Sequence, residues 1–520
     1  MTAATLRMRV FLFTAAVLFS LAGFQRGWAQ VPVTTWHYDN FHSGANLNET
    51  ILTPANVNKS TFGKLFTLPV DGAVIGQALY LPSVTIPGAG VHNVVYVVTM
   101  NDSVYAFDAD SNTGNNANPL WHTSFLINGA KTIPISLQGC GATTAWTQVG
   151  IVSTPVIDPV AGTLFVVAKT LENSNYVHRL HALDIATGLE KPGSPIVITA
   201  SYQLSGKTYV FADAMQVNRP GLLLENGIIY IAFGSNGCRS GKEEGWVVAY
   251  NETTMAAEGA FDVEPGQSAA AIWQRGGSLS ADSQGNIYGA TADGPFVAGV
   301  DFGQSVFKLS QVGNTLELAD WFTPYNERYL DLNDLDMSEP VLVLPNQAGK
   351  YPYLAAAVGK EGTIYILNRT NMGHFCSTCT STTGDSQIVQ ELPAFAPQTG
   401  ALVFWNNAIY TTANGSPIYA LAVSNGSVTT TPLAQSKRVA SGHSPIISSN
   451  GTSNGLLWQL DGNSLQAFDA TTLERIYASG QAADERDVLP TLPHFANIMV
   501  VNGKLYVGTN TSVVVYGLLN

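Results

Sequence analysis

The chain has 520 residues, a formal net charge of −13, only 12% charged residues and 49 glycines. That balance excludes a nucleic-acid binder, because phosphate backbones are held by clustered Lys and Arg; the acidic excess reads as solubility. Glu and Lys are too few for long helices, and Gly, Asn, Ser and Thr punctuation between Val, Ile and Tyr runs indicates an all-β protein.

The first element is a targeting segment. Arg7 and Arg9 precede the apolar run Val10–Phe24, and Gly27 and Ala29 stand at the −3 and −1 positions of a cleavage site. Residues 1–29 are therefore expected to be a secretory signal peptide, too short for a transmembrane anchor. No Cys follows the run to carry a lipid, and no later stretch is long enough to span a membrane. Residues 30–520 are expected to work outside the cytoplasm, secreted or periplasmic, as a monomer.

Along the rest of the chain one pattern recurs: a strand, a polar turn and a second strand. It appears as "VVYVVTMNDSVYAFDAD" from Val94, "IIYIAFGSNG" from Ile228, "YLAAAVGKEGTIYILNR" from Tyr353 and "LLWQLDGNSLQAFDATT" from Leu456. Eight such cells carry aromatic anchors at Tyr96, Phe165, Tyr230, Tyr288, Tyr353, Tyr410, Trp458 and Tyr506, spaced from 48 (Tyr410 to Trp458) to 69 residues (Tyr96 to Phe165). A short strand precedes several cells ("STPVID" at Ser153, "HSPIISS" at His443) and another follows many. The prediction is one domain, an eight-bladed β-propeller of four-stranded antiparallel blades. A ring must close or expose an edge, so "KLFTLPVDG" (Lys64–Gly72) is expected to complete the last blade. Antiparallel order then places the turn between second and third strands on the same face as the linker entering the first. Asp293, Lys360, Cys140, Cys238 and the linker "LDLNDLDMS" (Leu330–Ser338) should share that face.

Four cysteines remain, and three pairings are open. Proximity favours Cys376–Cys379, which leaves Cys140–Cys238. Thr380 follows "CSTC" where haem attachment needs His, and the 140/238 spacing is unlike a zinc ribbon. No G-x-S-x-G, H-E-x-x-H or P-loop occurs.

The blade strand "VYAFDA", the entry segment "WHYDNFHSGANLNETILTPANVNKSTFGKLF" and "GKEGTIYILNRTNMG" resemble the quinoprotein alcohol dehydrogenase-like propellers, over essentially the whole mature chain. That resemblance implies pyrroloquinoline quinone (PQQ) and calcium. It makes Lys360 a quinone contact, Asp293 a calcium ligand, and Asp334 and Asp336 candidates for the catalytic base. It also exposes departures. Gly141 stands where the family has the second Cys of a small disulfide ring, and the position of the stacking Trp falls near Gly276, with Trp273 out of register. No Glu aligns with the family's calcium ligand, although Glu243 and Glu244 are near. Stacking supplies much of the apolar burial of a cofactor site. The expectation is therefore a binding or scaffold propeller, a non-catalytic relative that presents one face to a protein, glycan or small-molecule ligand. The alternative is a PQQ- and calcium-dependent dehydrogenase of alcohols or sugars. On turn chemistry alone, Lys360-Glu361-Gly362 is an ordinary solvated tip. The "NDLDMS" carboxylates equally suit a calcium-binding or merely solvated loop, and Arg219 suits a structural salt bridge.

Overall fold

The computed structural model describes residues 30–135, 148–235, 244–267, 269–393, 395–397 and 399–519. Cys140, Cys238 and Gly141 lie outside them, as does the segment 1–29. Val31–Asn520 forms one compact unit.

Eight antiparallel sheets follow one another along the chain as blades 1 to 8. Blade 1 is typical: Leu79–Ile86, Gly90–Thr99, Ser103–Asp108 and Trp121–Ser124 pair in sequence order. The alternation read from the sequence is what forms these strands. Val, Ile and Tyr on successive residues face the two neighbouring blades, so nearly every inner strand is buried on both sides.

Aromatic anchors pack against small residues across the ladder, filling volume by alternating large with small. Tyr96 faces Ala106, Phe165 faces Ala182, Tyr230 faces Ala249, Tyr410 faces Ala420 and Trp458 faces Ala467. Blade 5 corrects one expectation. Tyr353 precedes its strand (Leu354–Val358) and is 38% exposed; the buried aromatic is Tyr365, on the third strand opposite Ala357. The large–small pair is kept with its members exchanged.

Ring closure follows the prediction. Phe62–Pro69 pairs antiparallel with Ser512–Leu518 and supplies the outer strand of blade 8. Phe62 anchors it, fully buried against Trp458, Tyr477 and Tyr516; burying such a ring contributes about 2–3 kcal/mol.

The N-terminal segment does more than clasp. Between Val33 and Asn46 it touches all eight blades in order. Val33 bridges Tyr80; Thr34, Asn40, Phe41, Ser43 and Gly44 carbonyls accept from Ile157, Ala281, Val343, Phe404 and Ile447. The Asn40 and Asn46 side-chain amides donate to Leu224 and Val500 carbonyls in blades 3 and 8. The segment thereby runs one turn around the inside of the ring, with Trp36 and His37 stacked at 3.4 Å inside it. Among the described residues no helix is long and apolar enough to cross a membrane; the α-helix Glu327–Leu332 is one short turn in the linker between blades 4 and 5.

Candidate functional site

Three connections bring the predicted acidic residues and Lys360 together. Asp293 lies in the loop between the second and third strands of blade 4, Asp334 and Asp336 in the linker to blade 5, and Lys360 in the turn after Leu354–Val358. The linker is fixed at several points. Leu335 N–H donates back to Leu330, ending the helix, and Asp334 takes a left-handed φ of 53° that an Asp tolerates. Gln304 ties linker to loop: its Nε2 donates to Asp293 Oδ1 (2.8 Å) and its Oε1 accepts from Met337 N–H (3.0 Å). Lys360 N–H donates to the Asp336 carbonyl at 2.8 Å. At Gly359 a Cβ would lie 2.6 Å from that same carbonyl, so only glycine permits the approach.

Carboxylate oxygens of Asp293, Asp334 and Asp336 lie within 4.8 Å of one another. Lys360 Nζ reaches Asp334 Oδ1 at 2.5 Å and Asp336 Oδ2 at 2.6 Å. Asp336 is buried; Lys360 takes its Oδ2, and the Asp293 carboxyl hydrogen-bonds to it. Three carboxylates thus face one ammonium. Burial, then the hydrogen bond and charge of Asp336, push the Asp293 carboxyl up to about 8, with Lys360 only partly opposing. A proton is held there because like charges this close cannot all ionise. Burial by itself would lower the Lys360 pKa, but Asp336 and Asp334 outweigh it and the net shift is upward.

A second, basic group lies toward the ring axis. Arg275 enters from the linker to blade 4, where Gln274, Arg275 and Gly276 all have positive φ (47°, 45° and 85°). Its Nη1 donates to Gly442 O (3.3 Å) and Thr399 O and lies 3.1 Å from Glu339 Oε1 as an ion pair, so it spans from blade 4 to the entries of blades 5, 6 and 7. Glu339 is fully buried; burial raises its carboxyl to about 7 against the opposing charge of Arg275. The Arg219 guanidinium stacks 4.1 Å from the Phe495 ring centre and 5.5 Å from that of Trp273. Burial, then repulsion by Arg275, lowers Arg219 to about 9. Beside them opens a cavity of about 200 Å³, lined among others by Arg275, Asn414, His443, His494, Phe495 and Asn497. The Trp36 indole N–H donates to Asn497 Oδ1 at 3.0 Å, joining the N-terminal turn to the cavity wall. Thr399 couples the two groups: its carbonyl takes Arg275 and its hydroxyl donates to Gly359 O, next to Lys360.

The predicted acidic residues and Lys360 therefore converge, and Lys360 is both a turn residue and part of the cluster. Glu244 does not join them; its Oε1 accepts from Gly266 N–H at 2.9 Å, and its charge acts on Asp262 and Glu264. Glu243 lies outside the described residues. Cys376 and Cys379 form a disulfide with Cα atoms 5.4 Å apart. Arg275, Glu339, His443 and His494 carried no motif, and sequence reading missed them; Arg219 is a member of this group, with the charges of Arg275 and Glu339 acting on it. The donor set fits a hard cation such as calcium: carboxylate oxygens from three side chains, all within 4.8 Å of one another. It fits PQQ poorly. Lys360 and Arg275 suit an anion, but Gly276 itself supplies no ring on which a quinone could stack.

No protein-family model matches the chain, and no curated protein matches it. Solved structures do. Quinohemoprotein alcohol dehydrogenase from Comamonas testosteroni superposes with a TM-score of 0.59 at 14% identity, over 94% of this chain and 80% of that one. Quinohemoprotein alcohol dehydrogenase ADHIIG from Pseudomonas putida HK5 gives 0.59 at 13%, with the same coverage. A europium-containing methanol dehydrogenase gives 0.58 at 12%, over 94% and 98%. The chain has the eight-bladed propeller fold of the quinoprotein alcohol dehydrogenases.

Proposed function

We propose that this chain is an extracytoplasmic propeller that binds a hard cation, calcium in the first instance, and a small anionic ligand at one mouth of the ring. The observation that carries the reading is the convergence of Asp293, Asp334 and Asp336 from two connections, three carboxylates with one ammonium, Lys360, to offset them. Oxygen donors with net negative charge select hard cations over soft ones. The apolar run after Arg7 and Arg9 and the Cys376–Cys379 disulfide support a location outside the cytoplasm. Calcium titration by calorimetry tests the site. Saturable binding that disappears in Asp293→Asn and in Asp336→Asn is the expected result; no heat in the parent protein sinks it.

A second reading is an oxidoreductase. Asp336, sheltered and held by Lys360, has the placement of a general base, and structures of the same fold are named as alcohol and methanol dehydrogenases. PQQ would supply hydride acceptance when bound. In this chain Lys360 would face its anionic edge, Asp293 and Asp334 would hold calcium, and Asp336 would take the alcohol proton. The missing ring at Gly276 weighs against it. Saturable PQQ uptake with dye-linked alcohol oxidation, lost in Lys360→Ala, would replace the first reading with this one.

A further inference from the structure

The cavity beside the axis holds polar groups that the protein itself leaves unused. Arg275 spends only Nη1 on Glu339, Thr399 and Gly442; its Nε and Nη2 have no partner among the described residues. Those atoms carry three N–H donors in the planar fork that matches a carboxylate. His443 offers the opposite group. The Ser441 hydroxyl has one proton and gives it to Leu460 O at 2.7 Å. The 2.8 Å contact between Ser441 Oγ and His443 Nδ1 is therefore donated by the imidazole. In the neutral ring that leaves Nε2 as an acceptor, and no protein donor reaches it among the described residues. Burial and Arg275 lower the His443 pKa, and burial with Arg219, Arg275 and His443 lowers His494 to about 4. Both rings are uncharged at neutral pH, so the lone pair on His443 is available. His494 lies on Phe495, ring centres 3.6 Å apart, as an apolar wall.

A ligand complementary to this wall needs a compact anionic end for Arg275 and, on the same small molecule, an O–H that donates to His443. Polar groups left unmet in a cavity penalise ligands that cannot satisfy them. We propose that the axial cavity is a binding site for a small hydroxycarboxylate, its carboxylate on Arg275 Nε and Nη2 and its hydroxyl donating to His443 Nε2. The inference rests on the reading of the mouth as a small-molecule site, but on different residues from the cation.

The test is calorimetric titration of the purified chain, stripped of calcium with chelator, with sodium glycolate at pH 7. Acetate, ethylene glycol and phosphate serve as comparison probes. Saturable glycolate binding is expected, at least tenfold tighter than acetate, with ethylene glycol silent. His443→Phe should bring glycolate and acetate together. Arg275→Lys keeps a cation beside Glu339 but loses the fork, and should weaken glycolate tenfold or more. Should Arg275→Lys fail to fold, the His443→Phe comparison alone decides. Asp293→Asn should leave glycolate binding unchanged; a chain that binds glycolate but not calcium upholds this inference and sinks the cation reading alone. Absence of glycolate binding, equal binding of acetate, preference for phosphate, or loss of binding in Asp293→Asn each overturns it.

Discussion

On the blade 4–5 side of the mouth, Asp293, Asp334, Asp336 and Lys360 lie between positions 293 and 360 and come from connections that neighbour one another in the ring. On the axial side, Arg219, Arg275, His443 and His494 run from position 219 to 494 and meet only because the ring closes. The acidic group is negative in excess, and burial with Asp336 raises its Asp293 carboxyl to about 8. In the axial group cations outnumber the single buried Glu339, and it keeps two histidines neutral. Glu339 and Thr399 stand between them. The difference is one of accessibility: the acidic side brings Asp334 to the surface, its side chain 77% exposed, whereas the axial side is a buried network whose members depend on one another.

Removing one partner from that network should therefore have the largest effect. Arg275→Met leaves Glu339 buried and unpaired, and should cost about 3–5 kcal/mol in denaturant unfolding; the double variant Arg275→Met with Glu339→Met should recover much of it. If the single variant is as stable as the parent, the axial group is not a coupled network. Calcium acts on the other side alone. At a hundredfold excess over its Kd it should raise stability by about 2.7 kcal/mol, seen as a higher Tm in the parent and no shift in Asp293→Asn.

The two groups should also respond to pH with opposite sign. Asp293 has a folded pKa of about 8, raised above its usual carboxylate value by burial and Asp336. Its contribution is fully present below the unfolded pKa, near 4, and is lost as pH rises through 8. Calcium-free protein should thus lose a few degrees of Tm between pH 6 and 9, and Asp293→Asn should flatten that slope. His494, lowered to about 4, binds its proton more weakly when folded. Its contribution is absent at pH 4 and gained as pH rises to about 6.5, a slope that His494→Phe should remove. The smallest effect belongs to Lys360→Met. It breaks ion pairs with Asp334, whose side chain is exposed, and with buried Asp336. The protonated Asp293 carboxyl still hydrogen-bonds Asp336, so the charge left behind keeps a partner; the loss should cost about 1–2 kcal/mol without calcium and less with it, since a bound cation replaces the ammonium.

What the sequence by itself determined was whatever repeats or alternates locally. Period-two runs of Val, Ile and Tyr separated by Gly and Asn turns define blades, because a strand buried on both faces needs that pattern. Eight cells with one strand spare at the front define a ring closed by Phe62–Pro69. Blade topology then brought Asp293, Asp334, Asp336 and Lys360 onto one face without knowledge of any contact. Tyr353 was misjudged because an aromatic near a strand start looks the same whether it points into the next blade or out to solvent; only the exchange with Tyr365 across from Ala357 decides it. The tertiary structure alone decided the rest. The N-terminal turn touches each blade through single backbone contacts that have no sequence period. Arg275 reaches Thr399 and Gly442 across the axis, more than a hundred positions away, and the spare proton acceptor on His443 depends on where the Ser441 hydroxyl points. Such contacts follow from ring closure and burial, which are properties of the assembled blades and not of any one segment.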